Sequence, residues 1–132
     1  MTRFEIVNPD ELGRPSGFSH GVVAPTGGRM LFVAGQTAPG AGDLVAQFAV
    51  SLERALAVVR AAGGRPEHVG RLTVYVTDMT AYRAARPRLG EVWRAAMGKH
   101  YPAMALVEVR SLVDPAAVVE IEATAVLPET TG

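Results

Sequence analysis

Hydrophobic residues recur with a helical period in the segment that follows Asp43. One face of this segment carries the apolar residues Leu44, Phe48, Leu52, Ala55, Leu56 and Val59. Asp43 is a suitable N-cap, and Gly63-Gly64 supplies the residue type that best adopts the left-handed conformation after a helix. The pattern therefore predicts an amphipathic helix that ends at the paired glycines.

A second helical pattern covers residues 80–98, with apolar positions at Tyr82, Leu89, Val92, Trp93 and Met97. Pro87 interrupts this pattern, because a proline in a helix interior removes a hydrogen bond and costs about 3 kcal/mol or more. Proline is tolerated in the first turn, so we predict a turn over residues 80–84 and a helix that begins near Pro87. Gly98 is expected to close this helix.

Six other segments have the composition or the alternation of β-strands. They are residues 4–7, 20–24, 30–36, 71–77, 103–109 and 118–127. The double glycine within residues 25–28 predicts a β-hairpin between the second and the third segment. The order of elements predicts an α+β fold, a mixed six-stranded sheet with two helices on one face. Residues 72–109 are expected to form a parallel strand–helix–strand crossover.

Composition narrows the function classes. The chain has 132 residues, which suits a single domain over residues 1–132. Its 13 basic and 13 acidic residues leave no net charge, so binding to nucleic acid or to an anionic membrane is not expected. Cysteine is absent, which excludes disulfides, thiolate metal ligands and cysteine nucleophiles. No signal peptide or membrane-spanning run is visible, so the expected location is the cytoplasm.

Two carboxylates stand out on the last predicted strand. Its apolar residues alternate with the polar face that carries Glu120 and Glu122, so both carboxylates point away from the helices. One interpretation is a pair of solvated glutamates; the other is that one lines a cleft between subunits and acts as an acid or base. No phosphate-binding loop and no metal-spaced cluster accompanies them, so no metal and no cofactor is expected.

Several motifs then occur in a characteristic order. The end of the chain contains Tyr-Pro-Ala at 101–103, Leu-Val-Glu-Val at 106–109 and Val-Glu-Ile-Glu-Ala at 119–123. Phe-Val-Ala-Gly-Gln at 32–36, Ala-Ala-Gly-Gly at 61–64 and Val-Tyr-Val-Thr-Asp-Met at 74–79 precede them. Over roughly residues 15–128 this arrangement resembles the RidA/YjgF family, also known for its endoribonuclease L-PSP-like members.

The resemblance implies a chorismate-mutase-like α+β fold and a homotrimer with a small-molecule cleft at each interface between subunits. Well-understood members hydrolyse reactive enamines and imines to ketoacids and ammonia. In those members an arginine after the Pro-Ala pair clamps the substrate carboxylate, and a glutamate of the last strand positions the attacking water. A tyrosine before the second strand and the backbone near a Gly-Gln pair complete the pocket.

Matched residue by residue, the resemblance makes Glu120 the expected catalytic residue and assigns the backbone of Ala34, Gly35 and Gln36 to substrate binding. The clamping position holds Met104, which has neither the charge nor the bidentate fork of arginine. We therefore expect a deaminase-type hydrolase of altered specificity, whose cleft binds a small and mostly apolar or uncharged metabolite.

The remaining candidates for this cleft each have two interpretations. Phe18 occupies the tyrosine position, and His20, two residues on, is either a strand-edge residue or a cleft donor. Tyr101 is either a cleft wall or a packing residue. The arginines of the second helical segment either coat a solvated face or include one that reaches a cleft; they are Arg83, Arg86, Arg88 and Arg94.

Two other functions stay open at this point. A trimer that has kept the fold but lost the clamp would bind or sense a small molecule without catalysis. An endoribonuclease-type activity is the least favoured, because the neutral chain lacks a basic stripe with interleaved aromatic residues.

Overall fold

The computed structural model describes residues 4–129, which form six strands and three α-helices. The strands are β1 (Glu5–Val7), β2 (Gly21–Val23), β3 (Arg29–Gln36), β4 (Val69–Val76), β5 (Ala103–Glu108) and β6 (Val119–Leu127). The helices are α1 (Leu44–Ala61), α2 (Met79–Ala84) and α3 (Arg86–Met97), and short 3-10 turns occupy Asp10–Leu12, Pro39–Ala41 and Pro66–His68. This is the mixed α+β fold that the sequence predicts. None of the helices within residues 4–129 is both long and apolar enough to cross a bilayer.

The strands form two sheets rather than the predicted sheet of six. The larger sheet has the order β3-β6-β4-β5, and β1 pairs with β2 in a separate two-stranded sheet. The predicted hairpin is wrong, because β2 pairs with β1 while β3 pairs antiparallel with β6. Gly28 explains the difference: a Cβ atom there would lie 2.6 Å from the Leu127 carbonyl oxygen. The glycine lets the chain approach the end of β6 instead of folding back on β2.

Strand β6 forms the centre of the sheet and of the core. It runs antiparallel to both β3 and β4, and β5 lies parallel to β4 as the crossover predicts. Its inward residues are all buried, and they are Val119, Ile121, Ala123, Ala125 and Leu127. Burying one of the larger apolar side chains contributes about 1.5–3 kcal/mol. The predicted alternation of β6 is therefore confirmed.

Both predicted helical regions are present with their expected ends. The Asp43 side chain accepts a hydrogen bond from the Ala46 amide at the start of α1, and Gly63 follows this helix with φ of 90°. The predicted turn over residues 80–84 is the short helix α2, and Pro87 lies in the first turn of α3. Proline thus begins α3 without breaking an internal hydrogen bond.

The strand register divides the side chains of the sheet between two faces. Met104 pairs with Leu72 and Leu106 with Val74, so these four side chains share the face covered by the helices. The opposite surface, called here the open sheet face, carries Met30, Phe32, Thr73, Tyr75, Val107, Glu120, Glu122, Thr124 and Val126. Phe32 is 74% exposed and Met30 is 65% exposed. Two chemically different surfaces therefore lie on either side of one sheet.

Candidate functional site

A groove of about 560 Å³ opens on the helix-covered side of β5. We call it the helix-side groove; its lining residues are Ser16, Gly17, Phe18, Phe48, Tyr82, Arg86, Leu89, Gly90, Trp93, Arg94, Tyr101, Met104, Ala105 and Leu106. Three of the residues that the sequence analysis selects meet in it, namely Phe18, Tyr101 and Met104. Most of the wall is apolar or aromatic, so the groove suits a small molecule with an apolar body.

Phe18 reaches the groove because its loop is fastened to the beginning of β5. The buried Ser19 donates its hydroxyl to the Tyr101 carbonyl at 2.6 Å, and its amide donates to the Pro102 carbonyl at 3.1 Å. Buried hydrogen bonds of this kind fix a loop, because leaving either partner unpaired is costly. The sequence gives no signal for this role of Ser19.

Tyr101 packs against a tryptophan of α3 and also lines the helix-side groove. Its ring stacks on Trp93 with the centroids 6.3 Å apart and the planes 10° apart, and it also lines the groove. The Trp93 indole N–H donates to the His100 carbonyl at 3.1 Å, which fixes the orientation of the indole. The two aromatic rings thus form a rigid wall.

Arginines of α3 supply the charge of the groove. Arg86 and Arg94 line it, whereas Arg88 forms an ion pair with Asp43 at 3.6 Å. Gly90 lies between Arg86 and Arg94 in the sequence, and a Cβ atom there would be 3.3 Å from Nη1 of Arg94.

Tyr82, which also lines the groove, is affected by one of these arginines. Burial raises the pKa of Tyr82, and the positive charge of Arg86 opposes that effect. Sequence reasoning left these arginines undecided and missed Gly90, whose signal is a glycine inside a helix.

A second cluster lies at a bulge in β3. Val33 pairs with Ala123 and Gln36 with Ile121, so two residues, Ala34 and Gly35, face the single residue Glu122. Such a bulge leaves its extra residue out of the hydrogen-bond ladder. The side-chain amide of Gln36 donates to the Ala34 carbonyl at 3.1 Å, which closes the bulge on itself.

The Glu120 side chain lies across this bulge. A Cβ atom on Gly35 would be only 2.5 Å from Oε2 of Glu120, so the carboxylate occupies the space that glycine leaves open. The expected association of Glu120 with the Gly-Gln pair is therefore present in a single chain. Within residues 4–129, the Glu120 carboxylate has no hydrogen bond and no ion pair.

Glu122, in contrast, is already engaged. The Tyr75 hydroxyl donates to Oε2 of Glu122 at 3.1 Å, and Tyr75 pairs across the strands with Glu120. The hydrogen bond to Glu122 raises the pKa of Tyr75, and the negative charges of Glu122 and Glu120 act in the same direction. Of the two carboxylates, Glu120 is the one available to a ligand or a water molecule.

The two clusters do not meet in one chain. Met104 faces the helices and Glu120 lies on the open sheet face, on the other side of the sheet. His20 belongs to neither: its amide donates to Oδ1 of Asn8 at 2.7 Å, and its ring nitrogen lies 3.1 Å from the Gly13 carbonyl. Its ring packs edge-on against that of Phe18, with the ring centroids 5.3 Å apart.

Metal chemistry has no visible support in the described part of the chain. Within residues 4–129, no group of three or more histidine, cysteine, aspartate or glutamate residues is placed to hold a metal ion.

Comparison with known proteins adds the evolutionary context. The family model described as Endoribonuclease L-PSP matches residues 10–127. A search of curated proteins finds no match. Among solved structures, the Rid-family protein YyfB from Yersinia pestis, described as of unknown function, is 33% identical with a TM-score of 0.82. The alignment covers 95% of this chain and 99% of that chain.

Two other solved structures are similar over most of their length. Rv2704 from Mycobacterium tuberculosis, a member of the YjgF/YER057c/UK114 family, is 34% identical, with 94% of this chain and 99% of that chain covered and a TM-score of 0.66. TdcF from E. coli, solved with bound serine, is 29% identical, with 88% and 92% covered and a TM-score of 0.65. The family match and these similarities establish that the chain belongs to the RidA/YjgF family, as its motifs indicate.

Proposed function

We propose that the chain is a RidA-type hydrolase of a small enamine or imine, with Glu120 as the residue that handles water and proton. The observation that carries this proposal is the unpartnered Glu120 carboxylate lying across the Gly35 bulge. A general base must reach its water without competing partners, and such a base typically contributes about 10²–10⁴-fold to the rate.

The proposed reaction needs only water. A water molecule adds its oxygen to the carbon of the C=N bond, and Glu120 accepts the proton that this water loses. That proton passes to the nitrogen, which gives a carbinolamine. The hydroxyl of this adduct then loses its proton, by way of Glu120, to the same nitrogen, so that the C–N bond breaks as the carbonyl forms and ammonia leaves. One water is consumed for each imine, so no oxidant, metal or cofactor is required. The peptide groups of the bulge at Ala34 and Gly35 are suitable partners for the oxygen that gains charge.

The proposed site is shared between copies of the chain. In one chain the sheet separates the helix-side groove from Glu120, so a complete pocket needs the open sheet face of a neighbour. Phe32 and Met30 on that face are large, apolar and mostly exposed, which favours a covering partner. A homotrimer, typical of the family, is the proposed assembly, with no nucleic-acid or membrane partner.

Met104 supports an altered specificity. At the position where RidA-type deaminases are expected to clamp a carboxylate, this chain presents a thioether packed beside Leu106 and the core. An anion placed there would meet apolar surface without a compensating charge, at a cost of several kcal/mol if it is desolvated. The Met104 position of this chain therefore does not hold a carboxylate in the way that the arginine of a relative does.

The test is ammonia release from freshly generated 2-aminoacrylate and from a panel of imines made from apolar amino acids. Glu120→Gln keeps the shape of the side chain but cannot accept a proton, so turnover of the best substrate should fall about 100-fold or more. Glu122→Gln is the matched control, since Glu122 already bonds Tyr75, and it should retain most activity. Wild-type rates in the Glu120→Gln variant contradict the proposal.

A non-catalytic binding protein is the second candidate, favoured by the apolar groove and the missing cation at Met104. It predicts saturable metabolite binding with no ammonia from any imine, and an unchanged affinity in Glu120→Gln. The third candidate, an endoribonuclease, draws on the description of the family model alone. RNA cleavage by the purified protein that disappears in Glu120→Gln would favour it over both other functions.

A further inference from the structure

We propose that Arg94, together with Arg86, forms an anion-binding end of the helix-side groove, and that the groove takes a small carboxylate with an apolar or aromatic body. The inference rests on the proposed function in that it names the substrate class of the same cleft. In this chain the cation that binds the carboxylate would come from α3, and not from the position on β5 that Met104 occupies.

Gly90 is the first reason. A glycine inside a helix is unfavourable relative to alanine, and Gly90 is not among the glycines of positive φ that need this residue. What Gly90 provides is room: a Cβ atom would lie 3.3 Å from Nη1 of Arg94 and 4.0 Å from its Cζ. The guanidinium therefore lies across the bare helix surface at the groove.

The pairing of the arginines is the second reason. Arg88, Arg60 and Arg65 have carboxylate partners in Asp43, Glu53 and Glu67. Within residues 4–129, most of the other arginines lack such a partner, and Arg86 and Arg94 are the two of these that line the groove. No aspartate or glutamate of the described chain lines the groove, so its charge is entirely positive. A guanidinium fork binds a carboxylate through two parallel hydrogen bonds, which makes a carboxylate the fitting anion.

The rest of the groove lining determines which non-charged part of a ligand fits. Trp93 and Tyr101 form a stacked pair, and Phe18 and Met104 extend the apolar surface opposite α3. A ligand with its carboxylate at Arg94 would place an apolar or aromatic group on this wall. A strongly polar body would lose its hydration there without gaining hydrogen bonds.

Calorimetric titration with matched probe pairs tests the inference without requiring turnover. The probes are phenylacetate against phenylacetamide and 4-methylpentanoate against its amide, which differ in charge but hardly in shape. We expect the wild-type protein to bind at least one carboxylate about tenfold more tightly than its amide, as a charge-assisted bidentate contact gives. In Arg94→Met this preference should disappear, and in Arg86→Met it should shrink.

Arg88→Met is the matched control, because it removes the same charge from the same helix outside the groove, and it should keep the preference. Equal binding of carboxylate and amide in the wild type, absence of binding by every probe, or an unchanged preference in Arg94→Met each overturns the inference. Failure of the hydrolase proposal is separate: it shows as absent ammonia release while the carboxylate preference persists.

Discussion

The helix-side groove and the open sheet face carry the residues that the family resemblance combines in one pocket, yet they are built in different ways. The groove is complete in a single chain, with a fastened loop, a stacked aromatic wall and two unpaired arginines. The open sheet face has a catalytic candidate, Glu120, beside exposed apolar residues and no wall of its own. Under the proposed function, recognition and chemistry lie on opposite sides of one sheet, and they meet only if copies of the chain assemble.

The largest effect is expected when a charge replaces an apolar residue of the open sheet face. Phe32→Asp places a charge where we propose a second copy to pack, so the mass in light scattering should fall from about three times that of the chain to that of a monomer, and hydrolysis should be lost. Burying an unpaired charge in an interface is strongly unfavourable. Carboxylate binding by the groove should survive.

Val113→Asp is the control for this variant, because Val113 is fully exposed in a loop outside that face. It introduces the same charge and should leave the assembly intact. A trimer that persists in Phe32→Asp, or a wild-type protein that is monomeric at micromolar concentration, contradicts the division of the site between copies.

A smaller change on the same face tests the position of Glu120. In Gly35→Ala the new methyl group would lie 2.5 Å from the Glu120 carboxylate, so the flexible side chain must move aside. Displacing a catalytic group by about 1 Å can cost about 100-fold in rate, and we expect a loss of that order in kcat. The free energy of unfolding, measured with urea, should change little. Full activity in Gly35→Ala would show that the observed contact does not position the base.

The groove can be altered without touching the other face. Gly90→Ala restores a good helix former and should stabilise the protein by up to about 1 kcal/mol, seen as a higher urea midpoint. The same methyl group pushes against Arg94 at 3.3 Å, so affinity for phenylacetate should fall several-fold. A more stable variant with weaker binding separates a ligand-positioning role from a structural one. Unchanged affinity together with higher stability would leave Gly90 without a role in binding.

The smallest effect concerns the hydrogen bond between Tyr75 and Glu122. The pKa of Tyr75 is raised in the folded chain, so the stability that this bond contributes is present below about pH 10, the ordinary tyrosine value, and lost as pH rises through the raised pKa. Tyr75→Phe should therefore be slightly less stable than wild type at pH 8, and the difference should vanish at alkaline pH. A difference that is constant from pH 8 to 11 would contradict this assignment.

Local patterns predicted the helices and the core strand well because their signals are local. Asp43, Gly63 and Pro87 set helix ends through their own backbone and side-chain chemistry, and β6 alternates over nine residues. The hairpin failed because strand pairing is decided by distant partners. A short β2 with an exposed Val23 offers β3 much less burial than the long apolar face of β6 does.

The site was predictable to a lesser degree. Motif matching placed Glu120, Gly35, Phe18 and Met104 in one cleft. In the structure Glu120 lies beside Gly35, and Phe18 and Met104 line the helix-side groove on the other side of the sheet. That separation follows from the register of β5 against β4. Every residue of β5 from Ala103 to Val107 is apolar, so the strand has no alternation of apolar and polar residues that would mark which of them face the helices. Arg94 could not be singled out among the arginines of the second helical segment, because only Gly90 distinguishes it from its neighbours.

Trp93 is the single tryptophan of the chain, and its indole is both fixed by the hydrogen bond to His100 and stacked on Tyr101 at the wall of the groove. Its fluorescence therefore reports from one known place. A molecule that binds beside Trp93 and Tyr101 changes the environment of the indole, and the intensity or wavelength of its emission changes as a result. Unlabelled metabolite mixtures can thus be screened by titration in a cuvette, and a substrate can be found before any reaction is known.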